Sequence, residues 1–325
     1  MQSRPSDLPD AVVAAAASGG WGLPPTTAVY APVGYGSHHW SLADAAGRQW
    51  FASVNVMALD DTEAFDQLAA SIKVAVEVRE AGLGFAVAPL RRPDGAVLGR
   101  LPGGYALAVY PHVEGVSGSF GDALSTAEAI ELAGMLCSLH DVPPAAVSGL
   151  GVDRLAIPGR VGLEAAIGAA ADARPWEGPY GERLRALLTR HGADVLRVLD
   201  EHDRLVAEAG DQTGRLVLTH GEPHPGNVIR TVGGLVIIDW ETAQLAPPER
   251  DVWMLDARST EGADVYASCS GRRLDRGLVR RYRLAWAMAD LAAFFPLLRD
   301  TRAETSDTAW SWEACQGTLH ELAGV

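Results

Sequence analysis

The sequence predicts an α+β protein of two lobes, a small β-rich one over residues 1–112 and a larger helical one over 113–325. Three observations predict it. Between residues 26 and 56 short runs of strand-forming residues are separated by glycine-containing turns, the texture of paired strands. From Ser125 onward helical segments dominate, and the first of them opens with the Ser125/Glu128 spacing of a capping box. Two short apolar runs, "RLVLT" and "LVIID", bracket a loop rich in polar residues and turn formers, so that residues 218–241 read "LTHGEPHPGNVIRTVGGLVIIDWE".

The elements follow in order. The opening "MQSRPSDLPDAVVAAAASGG" carries one early arginine and an alanine-rich segment, which reads as a short helix and not as a leader. "TTAVYAPV", "SHHWSLA" and "RQWFASVNV" read as strands, with the glycine turn "GYGS" (34–37) between the first two. Residues 61–81 read as a helix with Phe65, Leu68, Ile72 and Val76 on one face, stopped by Gly82 and Gly84. "FAVAPLRR" and "AVLGRL" flank Pro93-Asp94-Gly95 as a hairpin, and "GYALAVYPHVEG" is a further strand leading into a hinge near 111–121. Helices occupy the chain to about residue 210 and again over most of 249–325.

Composition narrows the function. The chain has 325 residues, 48% apolar and 21% charged, which is ordinary for a globular protein. The formal net charge of −14 disfavours nucleic acid, whose phosphates need a basic stripe. No apolar run has the length of a membrane span, and a cytoplasmic location is expected. Cys137, Cys269 and Cys315 are odd in number and far apart, which predicts three separate reduced thiols. Among the 27 basic residues Lys73 is the only lysine.

The loop carries His220, Glu222, His224 and Asn227, and the run after it ends in Asp239 and Glu241. Phosphoryl transfer needs a group to orient and deprotonate an acceptor hydroxyl, divalent metal to neutralise phosphates, and a cradle for the nucleotide. Magnesium takes oxygen ligands from one or two side chains plus phosphates and waters, which suits Asn227 and Asp239. A carboxylate a few residues before Asn227 suits the base.

"HGEPHPGN" followed by "IIDWE", and "PPERDVW" at 247–253, resemble the motifs of the aminoglycoside phosphotransferase family, relatives of choline kinases and protein kinases. The family pattern is H-G-D-x-x-x-x-N, then I-D-x-[DE]. The resemblance covers nearly the whole chain and implies a protein-kinase-like bilobal fold. It implies that Asn227 and Asp239 bind Mg2+ and that Glu222 takes the place of the catalytic aspartate. Glu241 would assist the metal or its waters. Gly34, Tyr35, Gly36 and Ser37 would cover the phosphates of ATP or GTP, and the backbone of Tyr110, His112 and Val113 would meet the base. His220 reads as a structural residue of its own loop; His224 reads as a loop histidine, with a substrate-facing role as the alternative. Asp251 and Arg250 read as a supporting polar network. Two departures stand out. Glu222 is one methylene longer than aspartate, and Ser53 stands where the family carries the strand lysine that holds phosphates. Either Lys73 replaces that charge from the following helix, or it pairs with Glu77 at i,i+4, or His39, an arginine or backbone N–H groups serve instead.

The expected activity is O-phosphorylation of a small molecule, first an antibiotic (an aminocyclitol, a nucleoside or another sugar-bearing compound), next a metabolic amino alcohol or sugar. A degenerate nucleotide-binding protein without turnover is the third reading. Residues 256–325, expected to line the acceptor pocket, nearly match their acids with arginines such as Arg272, Arg273, Arg276, Arg280, Arg281 and Arg283. That disfavours a polycationic acceptor. The partners expected are nucleotide and acceptor, with no nucleic acid and no membrane, in a monomer or homodimer.

Overall fold

The computed structural model of the chain describes residues 1–24, 26–58, 61–172, 176–255 and 261–322. In chain order the elements are α1 (Asp10–Trp21), β1 (Thr26–Ala31), β2 (His38–Asp44), β3 (Gln49–Val56), α2 (Thr62–Glu80), β4 (Gly99–Leu101), β5 (Tyr105–Pro111), β6 (Val116–Ser117), α3 (Thr126–His140), α4 (Arg160–Ala170), α5 (Gly181–Ala209), β7 (Val217–Thr219), β8 (Val228–Thr231), β9 (Gly234–Ile237), β10 (Gln244–Ala246), α6 (Glu249–Leu255), α7 (Glu261–Ser270), α8 (Arg276–Asp300) and α9 (Ser306–Leu322). They fall into two compact units, one of residues 1–153 and 213–274, the other of 154–212 and 275–325.

The first unit holds an antiparallel sheet in the order β1-β2-β3-β5-β4. Alternation along β3 sends Ala52 and Val54 to one face. There they join Trp40, Leu42, Leu107 and Val109 under Val13, Ala17 and Trp21 of α1. Phe51, Ser53 and Asn55 alternate to the other face. Helix α2 serves two cores at once. Ile72 and Val76 pack on Ala106 and Ala108 of the sheet, and Val74, Ala75 and Val78 pack with Leu132, Leu136, Ile237 and Trp240. Buried Ser71 donates to the carbonyl of Ala243, which ties the same helix to the segment following β9. Ser125 caps α3 as its spacing predicted: its hydroxyl accepts from Glu128 N–H, and Glu128 accepts from Ser125 N–H at 2.7 Å.

The hairpin expected around Pro93-Asp94-Gly95 is corrected. The turn is present, closed by Arg92 N–H to Ala96 O at 2.7 Å, but its arms do not pair as strands. β4 pairs with β5, and the extended run before the turn donates Val87 N–H to Ile237 O and Leu90 N–H to Val109 O. Local turn chemistry was legible, while the partners lay far along the chain. The expectation of three separate thiols is also corrected: Cys137 of α3 and Cys269 of α7 form a disulfide, and Cys315 is free and buried. The two helices bring those Cα atoms to 6.6 Å, inside the range a disulfide needs, although 132 residues separate them.

Beyond the sheet, the first unit adds two small ones, β10-β7 and β6-β8-β9. β8 and β9 form a hairpin that carries one end of the polar loop back beside its own sequel. The second unit is helical. Leu184, Leu188, Val195 and Leu199 of α5 pack with Met288, Leu291, Phe295 and Leu298 of α8 and Cys315 and Leu319 of α9. No helix among the described residues is long and apolar enough to cross a membrane.

Candidate active site

The polar loop is pinned from below. β7 ends at Thr219, and the next two amides, His220 N–H and Gly221 N–H, donate to Asp251 Oδ2 and Oδ1 at 2.9 and 2.6 Å. Asp251 lies in the first turn of α6 and is fully buried. Burial alone would raise its carboxyl; the hydrogen bond from His140, with His220 and Arg250 close by, outweighs that and holds it below the ordinary range. His220, also fully buried, donates from Nε2 to Ile238 O at 2.9 Å and accepts Glu222 N–H on Nδ1 at 3.2 Å. Arg250 spans the loop from Thr219 Oγ1 (2.9 Å) to Thr242 O (2.8 Å). Gly221 has φ +102°, and a Cβ there would overlap the Arg250 guanidinium, so only glycine fits.

On this platform stand the three residues that the sequence singled out, Glu222, Asn227 and Asp239. Asn227 donates its side-chain N–H to Glu222 O at 3.0 Å, which fixes the orientation of its amide. Pairing continues one residue beyond β9 through Ile238 N–H to Asn227 O, and the chain then turns at Asp239 with φ +62°. A non-glycine residue in that region carries strain, a feature that clusters at functional sites. Trp240 anchors the turn, fully buried against His220 with ring centroids 4.8 Å apart. Glu222 is half-buried, and its carboxyl is pushed up to about 7 by burial and by Asp239, against a downward pull from Arg250. Asp239 presents an exposed side chain, yet the protein mass around it still raises its carboxyl, opposed by His220 and by the N–H of Glu241.

Glu241 joins this group to the sheet. Its Oε2 accepts from Asn55 Nδ2 at 2.7 Å and lies 3.4 Å from Ser37 Oγ; its Oε1 lies 3.4 Å from Ser53 Oγ. Asn55 also donates to Ser37 Oγ at 2.8 Å. Burial, then Asp239, pushes Glu241 up to about 7, and the three hydrogen bonds pull it back. The glycine turn takes positive φ at Gly34 (+69°) and Gly36 (+85°), delivers buried Ser37 to this cluster, and leaves Tyr35 exposed. Tyr110 stands opposite Phe51 of β3, and burial with Glu241 and Asp239 nearby keeps its hydroxyl protonated. His39, opposite Ser53 and close to Gly34, is lowered to about 4, chiefly by burial, and is therefore neutral. Asn55 escaped sequence reasoning, which stopped at Ser53; the period-two alternation of β3 was the signal that could have found it.

Other expected residues lie apart from this cluster. Lys73 pairs with Glu77 Oε1 at 2.8 Å and donates to Ser148 Oγ at 3.2 Å. His224 accepts Gly226 N–H on Nδ1 at 3.1 Å and meets Phe120 edge-on; burial and His220 lower it to about 4. His112 and Val113 line a cavity of about 690 Å³ with Val76, Arg79, Leu90 and Pro111, and no residue of the carboxylate cluster borders it. Of the expected acceptor segment, residues 256–260 and 323–325 lie outside the described residues.

The model of the "Phosphotransferase enzyme family" matches residues 42–294, more than half of the chain. Protein StrN of Streptomyces griseus is 29% identical over 259 residues, which cover 78% of this chain and 77% of that one. Spectinomycin phosphotransferase, APH(9)-Ia, solved in complex with ADP and spectinomycin, superposes with a TM-score of 0.77 at 16% identity, covering 98% of this chain and 99% of that one. A microcompartment-associated aminopropanol kinase superposes with a TM-score of 0.63 at 14% identity, covering 97% of each chain. At these identities the structural likeness speaks for the fold, the kinase-like α+β architecture that the sequence predicted.

Proposed function

The chain belongs to the phosphotransferase enzyme family, and we propose that it moves the γ-phosphoryl group of ATP or GTP to a hydroxyl of a small molecule, most simply an antibiotic. One observation carries this reading. Glu222 is fixed on both sides, by His220 at its N–H and by Asn227 at its carbonyl, next to the carboxylate of Asp239.

Magnesium fits this donor set. Glu222, Asp239 and Glu241 crowd negative charge where burial already opposes it, and the Asn227 amide nitrogen is engaged so that its oxygen is the ligand. Among the described residues no group of three or more His, Cys, Asp or Glu is arranged to hold a metal alone. Asn227 and Asp239 therefore suit an ion completed by phosphates and waters. When bound, the ion supplies the positive charge that neutralises phosphate oxygens. The chain's own part is positional. Glu222 orients the acceptor hydroxyl and takes its proton. Backbone N–H groups of residues 34–37 cover the phosphates, and the backbone at Tyr110, His112 and Val113 receives the base. Ser37, Ser53 and Asn55 direct their donors to Glu241 and to one another, and so hold that carboxylate beside the phosphate site.

Lys73 is best read through its ion pair with Glu77. Lys73→Ala is expected to leave nucleotide KM and kcat unchanged and to cost at most about 0.5 kcal/mol of stability. A several-fold rise in nucleotide KM would return the phosphates to Lys73.

A neutral or singly charged acceptor, such as an aminocyclitol, a nucleoside or another sugar-bearing antibiotic, suits the matched charges of residues 256–325. Three of those arginines are already used internally, Arg272 on Asp141 at 2.9 Å, Arg280 on Glu201, and buried Arg281 on His202 Nε2 at 3.1 Å. The same reading includes a cytoplasmic monomer or homodimer acting on free small molecules. A metabolic amino alcohol is the second reading, favoured by the likeness to an aminopropanol kinase. The test is nucleotide consumption with magnesium across antibiotic classes and amino alcohols, with ATP and GTP in parallel. Consumption with one antibiotic class supports the first reading, and consumption with amino alcohols alone moves the protein to the second. No consumption with any acceptor, alongside nucleotide binding, makes it a binding protein without turnover.

A further inference from the structure

Behind the loop clamp runs a buried chain of polar contacts that the sequence did not suggest. Asp251, which holds the amides of His220 and Gly221, accepts from His140 Nε2 at 3.0 Å. His140 Nδ1 meets the Tyr266 hydroxyl at 2.6 Å. His140 and Asp251 have fully buried side chains, and Tyr266 is 0% exposed. The Tyr266 hydroxyl, raised to about 12 chiefly by burial, remains a neutral donor. It thereby fixes the ring so that Nε2 carries the proton aimed at Asp251.

The Cys137–Cys269 disulfide flanks this chain. Cys137 lies one turn before His140 on α3, and Cys269 one turn after Tyr266 on α7. The two sulfurs lie 3.6 and 3.4 Å from Tyr266 O. The crosslink thus joins the two helices that carry the two ends of the Tyr266–His140 contact.

We infer that Tyr266 is a positioning residue for the catalytic loop, acting through His140 and Asp251, and that the Cys137–Cys269 crosslink holds it in place, so that thiols modulate turnover. The inference rests on the kinase reading for its rate effect, though not for its effect on the loop. The chemistry is thiol–disulfide exchange with a low-molecular-weight thiol. Cys137 is buried and Cys269 is exposed, so attack falls on Cys269 Sγ. The small thiolate bonds to Cys269, and Cys137 leaves as a thiolate and takes a proton. A second small thiolate then attacks the mixed disulfide. Cys269 is released as a thiol, and one small-molecule disulfide forms. Two electrons pass from the small thiols to the protein, and an oxidised small-molecule disulfide reverses the exchange.

The experiment compares the whole protein, equilibrated with oxidised glutathione or with dithiothreitol, with its Cys269→Ser and Tyr266→Phe variants. Hydrogen exchange is read on the peptide containing His220 and Gly221, and kcat and nucleotide KM are read in the same samples. Reduction is expected to speed exchange and to lower kcat, each about tenfold, the worth of one hydrogen bond to a charged acceptor, with nucleotide KM unchanged. Cys269→Ser should match the reduced protein under both conditions. Tyr266→Phe should show the same losses with the disulfide intact. Equal exchange in oxidised and reduced wild type, or a Cys269→Ser protein that still responds to thiol, overturns the inference. So does a Tyr266→Phe protein with unchanged exchange. A protein without turnover in any state refutes the kinase reading alone, because the exchange measurement still decides the loop's dependence on Tyr266.

Discussion

Asp239→Asn is expected to lower phosphoryl transfer by about 10³-fold or more, the upper range for loss of a charge-stabilising group, without loss of the fold. The substitution keeps the size of the side chain and the turn, since asparagine tolerates positive φ as aspartate does. It removes the only anionic ligand of the proposed metal pair and leaves Asn227 in place. Stability should move the other way. The Asp239 carboxyl is raised in the folded chain, so the folded state binds protons more readily there than the unfolded state does. A raised carboxyl contributes stability at low pH, and that contribution is lost as pH rises through the folded value. Neutralising the group should therefore leave Tm unchanged or higher at pH 8, measured without nucleotide or divalent cation. Near-normal turnover in this variant would remove the central claim about the site. A lowered Tm would show that the carboxylate serves the fold instead.

Much of this site could be read from sequence because its parts lie close along the chain. His220, Glu222, Asn227 and Asp239 span 20 residues, and the loop between β7 and β8 with the β8–β9 hairpin brings them together through contacts that are short in sequence. Helix α3 was readable for a similar reason, since a capping box closes within four residues. The contacts that were missed are those made between distant segments. Glu241 meets Ser37 and Asn55 across separations of 204 and 186 residues. Those contacts depend on the strand register and on which face of β3 looks toward the loop. Ser53 was noticed because a lysine was expected there, yet Asn55 makes the shorter bond to the same carboxylate. His140, Tyr266 and the cysteine pair escaped for the same reason: each is unremarkable in its own helix, and only the packing of α3 and α7 joins them. The mistaken hairpin shows the converse, a turn whose local chemistry was right and whose arms found other partners.

Glu222→Gln is expected to lower kcat by about 10²–10⁴-fold, the range for removal of a general acid–base group, with nucleotide KM nearly unchanged. Glutamine keeps the length and shape of the side chain, so the loop hydrogen bonds from Glu222 N–H to His220 Nδ1 and from Asn227 Nδ2 to the Glu222 carbonyl, which use only the backbone of residue 222, should survive. Only the ability to accept a proton is lost. The carboxyl is suited to that task, because burial and Asp239 raise it from the ordinary 4.5 to about 7. A base poised near the working pH takes a proton from a hydroxyl more effectively than one at the ordinary carboxylate value. The same shift fixes the stability effect. As pH climbs from 4.5 through about 7, the wild-type folded state must give up a proton it prefers to keep. The glutamine variant does not, so its Tm should equal or exceed wild type at pH 8 and show no such advantage at pH 4. Glu222→Asp tests length separately. The shorter side chain withdraws the carboxylate by about 1.5 Å, one C–C bond, and a misplacement of about 1 Å can cost on the order of 10²-fold. Buried Pro223 and Pro225 flank the half-buried His224 and stiffen the loop against recovering that distance, while Asp251 holds the amides that precede it. Aspartate, although it is the residue of the family pattern that the loop resembles, should therefore remain well below wild type here. Full activity in Glu222→Gln, with loss instead in His224→Ala, would transfer the base to His224.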